Sequence, residues 1–482
     1  MLFTSLVYFL FLPIVAAVFF LTPVKWRWLW LLAASYFFYM YWNPAYIVLI
    51  VASTLIDYWA ALQIGRQASD RRKRPYLYAS LAVNLGLLFA FKYFNFFSDQ
   101  MTAIARPFWP GLESFHLHFL LPVGISFYTF QTLAYTIDVY RGYLKPEPHL
   151  GKFALYVSFF PQLVAGPIER ARDLLTQFHF ESRFDYARVV GGLQLILWGL
   201  FKKLVIADRL GLFVDRVYGN YARFEGIPIW VATIFFLFQI FCDFSAYQDI
   251  AMGSAKIIGV KLSKNFDNRV YVITSFSRFW REWHITLTSW FRDYVYFPLS
   301  GLSKKRQWLL FALFLIFALN GIWHGANWTF VIWGALNGLF VVGENLLKKP
   351  VANAYAALGL QDARRLKLMM GFIVCFVLGN LSIIFFRAES LHHAGALIKH
   401  GFNLNFRQFG YLKRAIGAFD LYLSIALVIV MDILHVLMKG GAMDTFLSGK
   451  KPWLRWAFYL ALFAGILFLG IPAQRKFIYF EF

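Results

Sequence analysis

Apolar runs recur along this chain so often, and at such length, that few folds remain open to it. Residues 2–21, 28–42, 46–62, 76–97, 119–137, 189–206, 227–243, 308–319, 329–342, 369–386, 421–437 and 453–471 are each dominated by aliphatic and aromatic side chains. About 20 helical residues cross a hydrocarbon core. In lipid every backbone N–H and C=O must be satisfied without water, which leaves helices or closed barrels. These runs are too long for barrel strands. The expected fold is therefore all-α, a polytopic membrane protein of about twelve transmembrane helices with re-entrant and interfacial helices besides. Composition agrees: 60% of residues are hydrophobic and 15% charged, against roughly 45–50% and 25% in soluble domains. No soluble domain or internal repeat interrupts the pattern. Residues 1–482 read as one integral membrane domain, with 473–482 as an aromatic C-terminal tail.

Charges in short loops orient the spans. Lys25 and Arg27, then Arg66 and Arg71 to Arg74, place two loops in the cytoplasm and the N-terminus outside. Residues 153–165 are too short to span and read as re-entrant or interfacial. Residues 256–306 form a long basic cytosolic segment. Its core, with Phe276, Arg278, Trp280, Arg281 and Trp283, reads as an interfacial helix, apolar face in lipid and basic face on headgroups. An even number of crossings puts both termini outside. Arg387, Lys399, Arg407, Lys413 and Arg414 fall in a loop assigned outside and argue against that assignment. The formal charge of +22 is scattered among loops. That placement suits anionic lipid headgroups and excludes a nucleic-acid partner. Cys242 and Cys375 both sit in apolar runs and offer neither a disulfide framework nor a zinc spacing, so no metal site is expected. Met1 leads into an apolar run with no basic n-region or small-residue cleavage site, so the first run is expected to stay as a span.

One histidine stands out. In Asn320-Gly321-Ile322-Trp323-His324-Gly325-Ala326-Asn327-Trp328 it occupies a glycine-flanked break between two apolar runs. An ionisable group at membrane depth is costly and marks a functional site, with a partner or wet cavity nearby. Packing glue between helices is the plainer reading. Gly321 and Gly325 permit close approach of backbone or ligand, Asn320 and Asn327 add amides, and Trp323 and Trp328 wall the position.

Several ordered motifs point further. They include Pro122-Val123-Gly124-Ile125-Ser126-Phe127-Tyr128, Ile137-Asp138-Val139-Tyr140-Arg141-Gly142 and Phe160-Pro161-Gln162-Leu163-Val164-Ala165-Gly166-Pro167. Asp243-Phe244-Ser245-Ala246-Tyr247, Phe279-Trp280-Arg281-Glu282-Trp283-His284, Ser289-Trp290-Phe291-Arg292-Asp293-Tyr294 and Trp323-His324-Gly325 follow in order. With these the chain resembles the membrane-bound O-acyltransferases over nearly its whole length, in the bacterial branch that includes the alginate O-acetylase. Ser300-Gly301 and Ala246 depart from the pattern where glycine is usual. The resemblance implies helices around a central channel in the bacterial inner membrane. It implies His324 as the catalytic histidine, His284 as a second one nearer the cytosol, and acetyl-CoA as the cytosolic donor substrate. It also implies an extracytoplasmic, esterase-like partner protein that sets acetyl on a polysaccharide acceptor.

Acyl transfer from a thioester needs a base for the attacking hydroxyl and donors for the oxyanion. A histidine kept neutral by apolar surroundings suits the first role, which points to His324. Asn320 and Asn327 are candidate donors to the oxyanion and bound coenzyme. Lys264, Arg278 and Arg281 are candidates for the coenzyme's phosphates, although the same residues suit headgroups. The tail carries Phe477-Ile478-Tyr479-Phe480-Glu481-Phe482. An interfacial aromatic anchor is one reading. The resemblance suggests the other, that Tyr479 receives the acyl group. Seven residues from Pro472 reach roughly 23 Å when extended, beyond the ~15 Å half-depth of the hydrocarbon core. A transporter or flippase with His324 in its pore, and an acyltransferase acting on lipid or protein, remain alternatives.

Overall fold

The computed structural model describes the chain except for residues 268, 404–409, 411, 412, 414–416, 472–474, 476 and 479–482. Regular structure among the described residues is helical throughout. Among the described residues, nine helices are long and apolar enough to cross a membrane. Three of the runs expected to cross are shorter as helices. Leu6–Leu21 (α1) has 16 residues, Arg27–Met40 (α2) has 14 and Ile125–Tyr140 (α5) has 16. Breakers set these limits. Pro23 and Pro44 lie just beyond α1 and α2, and Gly124, in a left-handed conformation (φ 80°), starts α5 well inside its apolar run.

The chain divides into two compact units, Met1–Ile196 with Tyr247–Ser263, and Leu197–Ala246 with Lys264–Phe482. Two long helices, Tyr186–Tyr218 (α7) and Ile227–Ile258 (α8), contribute to both.

In the first unit Ile47–Arg66 (α3), Asp70–Ala105 (α4) and α5 are tied by a buried carboxylate. Asp57 accepts from Asn84 Nδ2 at 2.9 Å, from Thr136 Oγ1 at 3.2 Å and from Ser80. In an apolar medium such a cluster holds because each polar atom has a partner. Leu150–Ser158 (α6) opens the short run, and residues 159–166 continue it as buried turns. Backbone groups here are met from within: Phe160 N–H donates to Ser35 Oγ at 3.1 Å and Gly166 N–H to Gln162 O at 2.8 Å, while Tyr156 O of α6 accepts from Gln131 Nε2 at 2.6 Å. Irregular backbone at membrane depth is tolerated under that condition, so a re-entrant reading of this run fits.

The second unit carries Phe276–Glu282 (α9), Ile285–Phe291 (α10), Phe297–Leu302 (α11), Arg306–His324 (α12), Trp328–Ala357 (α13) and Arg364–Arg387 (α14). Leu391–Phe402 (α15), Ala418–Met438 (α16), Met443–Ser448 (α17) and Pro452–Leu469 (α18) follow. Here one expectation is corrected. The apolar face of α9 meets protein instead of lipid. Trp280 packs on Phe317 at 5.2 Å and Trp333 at 5.7 Å, and Phe276 on Phe340 at 4.7 Å. The helix stops at Trp283 because His284 turns left-handed. Helices α12 and α13 cross with Gly321 facing Gly334, where an added methyl would lie within 3 Å of backbone on the other helix. Small residues at a crossing are what allow so close an approach. Gly321 therefore admits a helix, not a ligand.

Candidate active site

His324 ends α12, and the extended Gly325 after it breaks the helix. Asn327 then caps α13, its Oδ1 accepting the Thr329 N–H at 3.0 Å while its Nδ2 donates to Glu389 O at 3.0 Å. Both polar ends of Asn327 are thus engaged in holding the break. Asn320, one turn before His324, is buried, and its Oδ1 accepts no hydrogen bond among the described residues.

The His324 ring is buried in an aromatic box, edge-on to Trp333 at 5.1 Å, Phe386 at 5.3 Å and Trp323 at 4.9 Å. His284 is buried too, edge-on to Phe244 at 4.7 Å and to Trp323 at 6.1 Å. Trp323 lies against both imidazoles. His284 adopts φ 45°, ψ 53°, a conformation open to few residues other than glycine. Asn265 holds it there. The Asn265 carbonyl accepts the Ile285 N–H at 2.9 Å, and its Oδ1 accepts the Thr286 N–H at 3.2 Å and the Thr286 hydroxyl at 2.6 Å. Strain fixed by surrounding bonds is a common mark of functional positions. Burial pushes the His284 imidazole down to about 3, so its ring is neutral at physiological pH.

His324 forms part of the wall of a small, largely apolar cleft of about 50 Å³, room for a few water molecules and below the usual size of a ligand pocket. Trp333, Phe386, Tyr271, Asn337 and Asn380 share the wall. The last three were not singled out from the sequence, although amides inside apolar helices are a readable signal. Tyr271 is oriented by Asp432 Oδ1, which accepts its hydroxyl proton at 2.9 Å, and its oxygen also lies 3.0 Å from His435 Nδ1. Arg269 Nε in turn donates to Asp432 at 2.8 Å.

The candidate coenzyme-binding cations stand elsewhere. Arg278 pairs with Glu282 at 2.7 Å, Lys264 with Asp267, and Arg281 is exposed. None of the three lines the cleft. The tail does approach the histidines. Phe477 and Ile478 are buried, the Phe477 ring lies 5.8 Å from that of Phe244, and the Ile478 N–H donates to Asp243 Oδ2 at 2.8 Å. Tyr479, the next residue, lies outside the described ones.

Two histidines bridged by a tryptophan beside an apolar cleft suit acyl chemistry, and comparison with known proteins decides the class. The profile of the membrane-bound O-acyltransferase family matches residues 141–379. A probable alginate O-acetylase of Pseudomonas putida is 34% identical, covering 100% of both chains. The chain belongs to the membrane-bound O-acyltransferase family. Among its other relatives, a probable alginate O-acetylase of Pseudomonas aeruginosa is 36% identical over 86% of this chain and 77% of its own. A peptidoglycan O-acetyltransferase of Helicobacter pylori is 32% identical over 94% of this chain and 91% of its own. This O-acyltransferase is thus a multi-pass membrane enzyme. The profile contains both histidines, the cleft walls on α8 and α13, and Cys375, Phe376 and Gly379 of the wall on α14.

Proposed function

We propose that this enzyme takes acetyl from cytosolic acetyl-CoA at the bacterial inner membrane and passes it outward for O-acetylation of an extracytoplasmic polysaccharide. The relatives described above are named for O-acetylation, two of alginate and one of peptidoglycan. The observation that carries the reading is the line of rings from tail to cleft. Phe477 lies on Phe244, Phe244 on His284, His284 on Trp323, and Trp323 on His324.

The step balances as follows. His324, in its aromatic box, accepts the phenolic proton of Tyr479 as the phenol oxygen attacks the thioester carbonyl. The C–O bond forms, the C–S bond breaks, and the coenzyme A thiolate leaves with the proton returned by the imidazolium. Acetyl-tyrosine then hands its acetyl to the polysaccharide through an external, esterase-like partner, both termini of the enzyme lying outside. His284 keeps the wall beside the tail neutral and dry.

Intact mass spectrometry after incubation with acetyl-CoA tests this. A 42-Da adduct, the mass of one acetyl replacing one proton, is expected on wild type and absent from Tyr479→Phe and His324→Ala. Coenzyme A release that needs His324 without any adduct would keep the acetyltransferase and remove the tyrosine carrier. No adduct and no release from folded protein would refute the proposal.

A further inference from the structure

The helix α7 is not regular. Lys202–Ala207 forms a π-helical turn in its middle, a local widening that frequently marks functional sites. It turns two consecutive lysines into the protein, and it changes what the backbone offers: the Leu204 carbonyl accepts the N–H of Ile471, just beyond α18, at 3.0 Å. Lys203 Nζ sits 2.9 Å from Asp208 and 2.5 Å from Asp243. On the next turns of α7, Asp215 receives two guanidinium groups, Arg387 at 2.7 Å and the tail's own Arg475 at 2.9 Å. Gly211 leaves the room for this, since a methyl there would meet Arg475 Nη1.

These groups line one small pocket, together with Ile478. At their ordinary ionisation its wall holds three cations, Lys203, Arg387 and Arg475, and three carboxylates, Asp208, Asp215 and Asp243. The balance closes only when Arg475 is in place. Without the tail, the half-exposed Asp215 keeps only Arg387 and the pocket wall is left with one carboxylate charge in excess. The tail is therefore held by its backbone at Ile471 and Ile478 and by a charge that its own side chain completes.

We infer that this pocket is a socket for the C-terminal tail, with Asp215 and Asp243 as positioning residues. Arg475 and the Ile478 N–H set the register of the chain up to the residue before Tyr479, and with it, in the relay, the presentation of that tyrosine. The presentation role rests on the tyrosine relay proposed above. The socket itself does not.

Hydrogen exchange of the full-length enzyme in detergent, read on the C-terminal peptide, separates the two. Arg475→Gln is expected to raise the exchange rate of the tail amides at least tenfold. Arg475→Lys, which keeps the charge, should leave them protected. Acetyl loading should fall at least tenfold in kcat for Arg475→Gln with an unchanged KM for acetyl-CoA, because the donor cleft is untouched. A tail equally protected in Arg475→Gln overturns the socket, as does loss of protection in Arg475→Lys. A freed tail with wild-type loading leaves the socket standing and refutes the presentation role, whereas a wild-type enzyme that never loads refutes the relay and leaves the socket.

Discussion

Replacing Gly321 by alanine tests how the crossing of α12 and α13 sets the position of His324. The new methyl would stand 2.3 Å from the Phe330 carbonyl oxygen and 2.9 Å from the Gly334 Cα. Both are backbone atoms and cannot rotate away. Ordinary contact begins at 3.4 Å, so the approach is short by about 1.1 Å and the helices have to part by roughly that amount at this point. Overpacking of this kind costs about 1–3 kcal/mol. The catalytic consequence is larger. His324 lies three residues on, along the same face of α12, and its ring is held by Trp333 of α13 and Phe386 of α14. A displacement near 1 Å can cost about 10²-fold in rate. Gly321→Ala is therefore expected to lower the melting temperature by several degrees and acetyl-CoA turnover by about 10²-fold. Gly343→Ala, on the same α13 with open space around its Cβ, is the control and should leave both unchanged. If the two variants behave alike in thermal melts and in coenzyme A release, the crossing does not position the histidine.

Two further substitutions isolate single physical terms. At His284 the variants Ala and Gly leave the same cavity beside Phe244 and Trp323 but differ in backbone freedom. His284→Gly should therefore be the more stable by about 1 kcal/mol, because only alanine keeps the left-handed strain; equal melting temperatures would refute that strain. Burial pushes the Glu169 carboxyl up to about 7, despite the Ser263 N–H at 2.5 Å and hydroxyl at 3.0 Å. The folded chain thus holds a proton that the unfolded chain releases near pH 4.5. Stability from this group is present below that pH and is lost as pH rises towards 7. Glu169→Gln cannot ionise, so it should match wild type at pH 4.5 and exceed it at pH 8 by up to about 3 kcal/mol. A difference independent of pH would place its cause elsewhere.

Much of the fold was legible because run length and hydropathy are local properties. The positions of α3, α13 and α16 follow from where apolar residues begin and end. His324 was legible for a related reason, since an ionisable residue at a break between apolar runs carries its own cost. What stayed hidden depends on partners distant in sequence. The aromatic pattern of α9 looks interfacial until Phe317 and Trp333 come to cover it. The apolar run at 119–137 looks like a span, yet α5 is buried on nearly all sides. Asn265, which holds His284 in its strained turn, lies 19 residues upstream of it and carries no motif of its own.

The charge pattern misleads for a separate reason. Reading orientation from Lys and Arg treats each as a free cation beside a membrane. Arg27 is not free: its guanidinium is buried and donates to Phe180 O at 2.7 Å and Ser182 O at 2.8 Å. Arg387, which argued against placing its loop outside, is paired with Asp215. Lys202 and Lys203 lie inside an apolar run where charges should be rarest, and Lys203 is matched by two carboxylates. Such residues carry structural information instead of topological information. Removing Arg387 from the outer tally lowers the conflict there, while Arg407 and Arg414 lie outside the described residues. The two lysines within α7 were the overlooked signal. A costly pair of charges at membrane depth needs compensating acids, and following that need leads to Asp208 and Asp243, and from Asp243 to the tail.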